Sequence, residues 1–277
     1  MSNIGHDFQP YWRGIIMRVV SLVPSLTETL FALGLTTKEV VGRTPWCIHP
    51  QDMVDQVMIV GGTKTPNLAK ISSLNPDLIV MDKEENPLPV YRELIDDGFT
   101  IFVSEVKSPS DVPQMLRELG KACGKAAAGE ALAIICQDSL NNIKKSTKSA
   151  RTVPLIWHKP LMAVSPNKYP GAILSKVGFE VIDTNPQGNG YPEISFEEFI
   201  EHKIELILLT SEPHNFTNQE GLSIAKEIVA AGGLKPTVVH IDGEDLTWFG
   251  ARTAPALARL AEFCHQTLDT MKHQYDE

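Results

Sequence analysis

The chain has 277 residues, of which 43% are hydrophobic and 21% charged, enough apolar material to fill one large α/β domain or two smaller lobes. Its formal net charge of −9 argues against the basic stripe of a nucleic-acid binder and against a polybasic membrane-surface patch. No run of 18 apolar residues occurs, so no transmembrane helix is predicted.

Residues 1–16 have no regular pattern and are expected to form an N-terminal tail. Arg13 and Arg18 flank only "GIIM", and no small-residue cleavage site follows. The expected location is therefore the cytoplasm, or the periplasm if a longer N-terminus precedes this one. "MRVVSLV" reads as a buried strand, followed by the helix "PSLTETLFALGL" with Ser25 as N-cap, Glu28 completing a capping box and Gly34 as C-cap. "EVVGRT" and "VMIVGG" are strands, "TPNLAKISSLNP" a short helix, "DLIVMD" a strand, "LPVYRELIDDG" a helix and "FTIFVSE" a strand. This alternation predicts βαβ crossovers and a mostly parallel sheet.

The rhythm then changes. "SDVPQMLRELGKACG" reads as one helix and the stretch 125–148 as a longer one. In the second, Leu132, Ile135, Cys136, Leu140 and Ile143 recur at helical spacing, and Lys144, Lys145 and Lys148 stand at its C-terminal end. At roughly 30 Å such a helix would bridge two lobes. Alternation resumes with "TVPLIWH", "PGAILSKVG", "FEVID", "SFEEFIEHK", "IELILLT", "QEGLSIAKEIVAAGG", "TVVHID" and the closing helix "PALARLAEFCHQTLDTM". The expected organisation is a tail over 1–16, an α/β lobe over 17–124, a bridging helix over 125–148 and a second α/β lobe over 149–277. "LNPDLIVMDKEEN" and "HKIELILLTSEPHN" share one plan, which suggests lobes of similar topology.

"TPWCIHP" places Trp46, Cys47 and His49 on a proline-bounded loop. Three readings compete there: a metal site, a nucleophilic thiol, or an aromatic lip over a ligand. Cys47 and His49 are too few for a closed zinc site, which needs four ligands, and His158 and His214 are the only loop histidines in the second half. A nucleophilic Cys47 would need His49 or His158 as base and an oxyanion hole. No G-x-S-x-G or phosphate-binding loop is present. The four cysteines are scattered without a C-x-x-C pair, as reduced thiols packed like small hydrophobes would be.

Three stretches, "RVVSLVPSLTETLFALGL" with "VVGRT…HP", "VGGTKTPNLAKISSLNPDLIVMD" and "DGEDLTWFGAR", together with a single bridging helix, resemble the class III substrate-binding proteins, or helical-backbone metal receptors. These carry cobalamin, haem or ferric-siderophore ligands to ABC importers. The resemblance runs from about Met17 to His273. It implies an α/β fold of two similar lobes with mostly parallel sheets, joined by one long helix, with a ligand cleft between them. The matching loops would supply Trp46, Trp157, Trp248 and Tyr169 as cleft aromatics, suited to a flat macrocycle. His49, Lys64, Glu84, Glu85, His158, Lys159, Lys168 and Arg252 would be the polar groups, the cations favouring a ligand with anionic or amide-rich edges.

The resemblance further implies a binding protein rather than an enzyme, with no required cofactor and cobalamin or haem as ligand. His49 or Cys47 is then a candidate axial ligand to iron or cobalt. The family's cobalamin-binding member docks on its transporter through one glutamate per lobe. Glu197 matches one of these, whereas Ala69 stands at the other. These features give a cytosolic carrier or sensor of a corrinoid, haem or chelated metal, with an enzyme or sensor on the same frame as the alternative. Partners are then a small-molecule or metal-chelate ligand, with no nucleic acid, no membrane insertion and transporter docking weakened by Ala69.

Overall fold

A computed structural model describes residues 16–275, so the expected tail lies outside the described residues except for Ile16. The first sheet comprises β1 (Val19–Ser21), β2 (Val40–Arg43), β3 (Met58–Ile59), β4 (Leu78–Asp82) and β5 (Ile101–Ser104), in the order β3-β2-β1-β4-β5. All its pairings are parallel. Helices α1 (Pro24–Ala32), α2 (Gln51–Val54), α3 (Leu68–Ser73) and α4 (Leu88–Asp96) supply the crossovers. Every residue of β1 and β4 is buried. That is why these strands read as continuous apolar runs: a parallel sheet is covered on both faces.

Helices α5 (Val112–Ala122) and α6 (Ala126–Asn142) lead to the second lobe. This contains β6 (Arg151–Trp157), β7 (Met162–Ala163), α7 (Tyr169–Val177), β8 (Glu180–Val181), α8 (Phe196–Glu201), β9 (Leu206–Thr210), α9 (Asn218–Ala230), β10 (Thr237–Ile241), α10 (Gly243–Thr247) and α11 (Thr253–Tyr275). Along β8-β6-β9-β10 the pairings are parallel and repeat the β2-β1-β4-β5 order of the first lobe. The short β7, which the sequence did not suggest, is antiparallel to β6.

Two expectations need correction. Helix α1 is capped by Val23 with Pro24 at its first turn, and no side chain caps it. Proline's fixed φ suits that position and draws Ser25 inside the helix, so the Ser25–Glu28 capping box does not form. Gly34, at φ +86°, follows the helix as expected. The helix expected over 125–148 runs instead over Ala126–Asn142, about 25 Å. Ile143 is already extended, and the segment beyond it touches α11: the Lys148 side chain pairs with Asp269, and His265 Nε2 lies 3.1 Å from the Lys144 backbone carbonyl.

Between α5 and α6 two glycines let the backbones touch. A Cβ at Gly129 would lie 2.6 Å from the Leu116 carbonyl oxygen and one at Gly120 would lie 2.8 Å from the Gly129 Cα. One continuous apolar core threads the whole molecule, joining Val19 and Leu30 to Leu116, Cys136, Ile173, Leu206 and Leu257. Smaller clusters around Ile79 and around Phe199 fill the other faces of the two sheets.

Candidate functional site

Parallel strands end on one edge, so the loops after β2, β3 and β4 gather together, as do those after β6, β9 and β10. In each lobe the crossovers leave two adjacent strands in opposite directions: β1 and β4 in the first, β6 and β9 in the second. Open α/β sheets bind ligands in the crevice at such a switch point. Here both crevices open on the space between the lobes.

Polar bridges tie the two sides. At one end Arg252 grips Glu28 with two bonds of 2.8 Å, and its other nitrogen lies 3.1 Å from Glu244. His49 Nε2 lies 2.8 Å from the same Glu244 carboxylate. The Ala251 N–H donates to Thr29 Oγ1 at 3.0 Å, and that approach needs Gly250, where a Cβ would fall 2.2 Å from the same oxygen. At the other end Lys168 Nζ meets Glu84 at 2.5 Å, and the Tyr191 hydroxyl donates to the same carboxylate. Lys64 Nζ donates to the Glu84 carbonyl at 2.9 Å. Beside this bridge is a pocket of about 250 Å³ walled by Asp82, Glu105, Lys107 and Lys168. That is smaller than the roughly 300–1,000 Å³ of ordinary ligand pockets.

The aromatic residues sort by burial. Trp46 is 64% exposed and Trp157 42% exposed, one after β2 and the other at the end of β6, on opposite lobes. Trp248 is only 6% exposed. Its ring stacks edge-on against His49 at 5.4 Å and lies 5.0 Å beneath the Arg252 guanidinium. It therefore belongs to the clamp rather than to an open wall. Tyr169, at 4%, is a core residue whose hydroxyl is 2.9 Å from Thr253 Oγ1 and whose ring packs on Phe249. Cys47 is fully buried with its sulfur 3.0 Å from Thr27 Oγ1 and 3.2 Å from Thr44 Oγ1. Burial pushes its thiol pKa up. Cys47 is thus neither an axial ligand facing the cleft nor an activated nucleophile, and the thiol reading of "TPWCIHP" loses its reactive atom.

The polar residues also redistribute. Arg252, with 15% side-chain exposure and carboxylates of Glu28, Glu244 and Asp245 around it, holds the lobes rather than waiting for an anionic ligand. Lys168 is likewise engaged by Glu84. Lys64 and Lys159 are exposed. Glu197 is exposed in the first turn of α8, and Ala69 is exposed on α3.

The cleft is more acidic than the sequence suggested. Glu85 and Glu212, from equivalent loops of the two lobes, both have pKa values raised first by burial. Each also feels neighbouring carboxylates, Glu212 among those acting on Glu85. Glu85's own surface is open to water, but protein mass on both sides of a narrow cleft still leaves its charge poorly solvated. Buried Asp82 is raised for the same reason, although Ser104 Oγ donates to it at 2.6 Å.

Sequence reasoning missed the partners of Arg252 and one further cluster. His158, His214 and Glu220 bring ligand-type atoms within 4.8 Å of one another. The first two are at the ends of adjacent strands but far apart in sequence, so no local spacing announced them. A sequence signal for α10 did exist: Asp242 precedes Asp245 by three residues, and its side chain accepts the Asp245 N–H at 2.9 Å as an N-cap.

The four cysteines are unpaired and buried. Among the described residues no helix is long and apolar enough to cross a membrane.

Comparison with known proteins agrees with this architecture. The vitamin B12-binding protein of Vibrio cholerae is 25% identical over 198 residues, which cover 70% of each chain. The solved periplasmic vitamin B12-binding protein of Vibrio cholerae superposes with a TM-score of 0.74 at 20% identity, covering 92% of this chain and 97% of that one. A periplasmic haem-binding protein from Pseudomonas aeruginosa gives a TM-score of 0.75 at 20% identity, over 92% and 94% of the two chains. At these identities the two structures establish the fold alone. The profile of the periplasmic binding protein family matches residues 19–247, and with that span covered the chain belongs to this family.

Proposed function

We propose that the protein is a carrier or sensor that binds a flat macrocycle, a corrinoid in preference to haem, in the cleft between its lobes. The observation that carries this reading is the pair of exposed indoles, Trp46 and Trp157, at strand ends of opposite lobes. Large apolar side chains left open at such a place are suited to a ligand surface. The preference for a corrinoid follows from charge. Haem carries two carboxylates, and of the expected cleft cations Arg252 and Lys168 already have carboxylate partners, which leaves the exposed Lys64 and Lys159. A corrin is rimmed by amides whose N–H groups suit the acceptors Glu85 and Glu212.

Two solved proteins of this fold are periplasmic, so a cytoplasmic address rests on the unpaired cysteines, a pattern suited to a reducing compartment. Glu197 offers one exposed acidic contact to a transporter. Ala69 offers none on the other lobe, which favours carriage or sensing over import.

Titration with cyanocobalamin and separately with haem, followed by tryptophan fluorescence and by retention of colour on gel filtration, tests the reading. Saturable corrin binding is expected. Burying one indole is worth roughly 1.5–3 kcal/mol, so Trp46→Ala should weaken binding about ten-fold or more at unchanged melting temperature. Trp248→Ala should instead lower the melting temperature, because its ring is already buried. Failure to bind either macrocycle, or unchanged affinity in Trp46→Ala, would sink the proposal.

A further inference from the structure

We propose that His158, His214 and Glu220 form a binding site for a divalent transition-metal ion of the zinc type, with a coordination position left open. The site goes beyond the macrocycle reading and does not depend on it.

Three elements build the cluster. His158 follows directly on β6, His214 lies in the loop after β9, and Glu220 stands in the first turn of the thirteen-residue helix α9. The adjacent parallel strands β6 and β9 are the pair whose crossovers diverge, so the two imidazoles flank the switch-point crevice of the second lobe. His158 Nδ1 is 2.8 Å from Glu220 Oε1, and His214 Nε2 is 3.1 Å from the same oxygen. The other oxygen, Oε2, is engaged by the Thr217 N–H at 2.7 Å and the Thr217 hydroxyl at 2.9 Å. One capping box therefore fixes the carboxylate, leaving Oε1 as the common focus of two rings.

Aromatic rings pack around both imidazoles and restrict their orientation. The His214 ring packs edge-on against Phe216 at 4.6 Å and against Trp157 at 5.9 Å, and His158 lies 6.0 Å from Phe216. All three side chains are only partly buried, which leaves an entry path.

Tetrahedral zinc at about 2.0–2.1 Å from each ligand sets ligand atoms about 3.4 Å apart. The two measured separations fall short of that, so the ring nitrogens must retreat by about half an ångström, a movement within reach of side-chain rotation. Each ring must also present a lone pair at the ligating nitrogen, which places its proton on the far nitrogen. Two imidazoles and one carboxylate select zinc, cobalt, nickel or iron over magnesium and calcium, which want oxygen ligands. Three protein ligands leave the fourth position to water or to a donor atom of a small molecule.

The test uses the untagged full chain, stripped with a chelator and titrated with Co(II) while its visible d–d absorption is followed. One saturating equivalent is expected, displaced by Zn(II) but not by millimolar Mg(II). His158→Ala and His214→Ala should each weaken binding by more than about ten-fold, since even loss of an outer-shell partner costs 10–100-fold. Glu220→Gln should weaken it too, while its remaining carbonyl can still serve the capping box. Circular-dichroism melting confirms that each variant is folded. Absence of a saturable spectrum overturns the proposal. So does saturable binding that survives either histidine substitution, because the metal would then sit elsewhere. Cobalamin titration of the same variants keeps the two readings separate: a chain that binds cobalt but no corrin leaves this site standing.

Discussion

At the scale of single residues, charge decides what the cleft can hold. Sequence reasoning placed lysines and an arginine there because the loops contain them, but it could not tell which carboxylates those cations would meet. Arg252 meets three, which leaves Glu85 with only Lys64 set against burial and the carboxylates of Asp82, Glu84 and Glu212. Glu85 binds its proton more tightly in the folded than in the unfolded chain, because burial and nearby carboxylates disfavour its charge. The resulting cost is absent below the unfolded-state pKa, grows as pH rises between the two values and is complete above the folded-state pKa. Glu85→Gln removes that cost. The variant should melt higher than the parent at pH 7, with the difference closing as the pH falls through the carboxylate range. Because the group is open to solvent, the gain should not exceed that of about 1 kcal/mol, or about 2–4 °C. Paired melting curves from pH 4 to pH 8 check it, and a lower melting point at pH 7 would contradict the electrostatic account.

At the scale of elements, the alternation of strand and helix was legible because parallel strands buried on both faces leave long apolar runs, as in "DLIVMD" and "IELILLT". Short elements were not. The two-residue β7, the four-residue α2 and the five-residue α10 carry too few side chains to show a period. The bridging helix ends earlier than expected: the lysines after Asn142 look like a favourable helix end, whereas Lys148 pairs with Asp269 of α11 instead. The site was legible as a set of loops, but burial was not. Nothing in "SPNKYP" or "DLTWFGAR" reveals that Tyr169 and Trp248 turn inward, since an aromatic at the end of a helix serves a core or a ligand equally well.

Gly120 and Gly129 belong to this scale too, because their effect exists only where α5 meets α6. Gly129→Ala puts a methyl group 2.6 Å from the Leu116 carbonyl oxygen. Backbone on both sides leaves it little room, and overpacking of this kind costs typically 1–3 kcal/mol. The substitution improves intrinsic helix propensity by about 1 kcal/mol. The steric term should prevail, giving a lower midpoint in urea unfolding with an unchanged m-value. A stabilised variant would mean that the helices separate freely.

At the scale of the whole molecule, the lobes are less independent than two sheets suggest. The core passes through both, and Arg252 with Glu28, Ala251 with Thr29, and Lys168 with Glu84 pin them at both ends of the cleft. Ligand binding should therefore produce small closure rather than a wide clamshell. X-ray scattering from free and ligand-saturated protein should nearly superimpose around a radius of gyration of about 19 Å. A fall of about 1 Å or more on saturation would show a hinge that these contacts do not permit.

The shared core also bears on how the chain is made. Leu257, Leu260, Cys264 and Leu268 of α11 join the same apolar cluster as Val19 and Leu30. A ribosome delivers the first lobe's strands well before that last helix, at about 5–20 residues per second. Until α11 emerges, part of the apolar face of the earlier elements lacks its native cover. The nascent chain must keep that face from its neighbours for many seconds, until α11 has been made and can cover it.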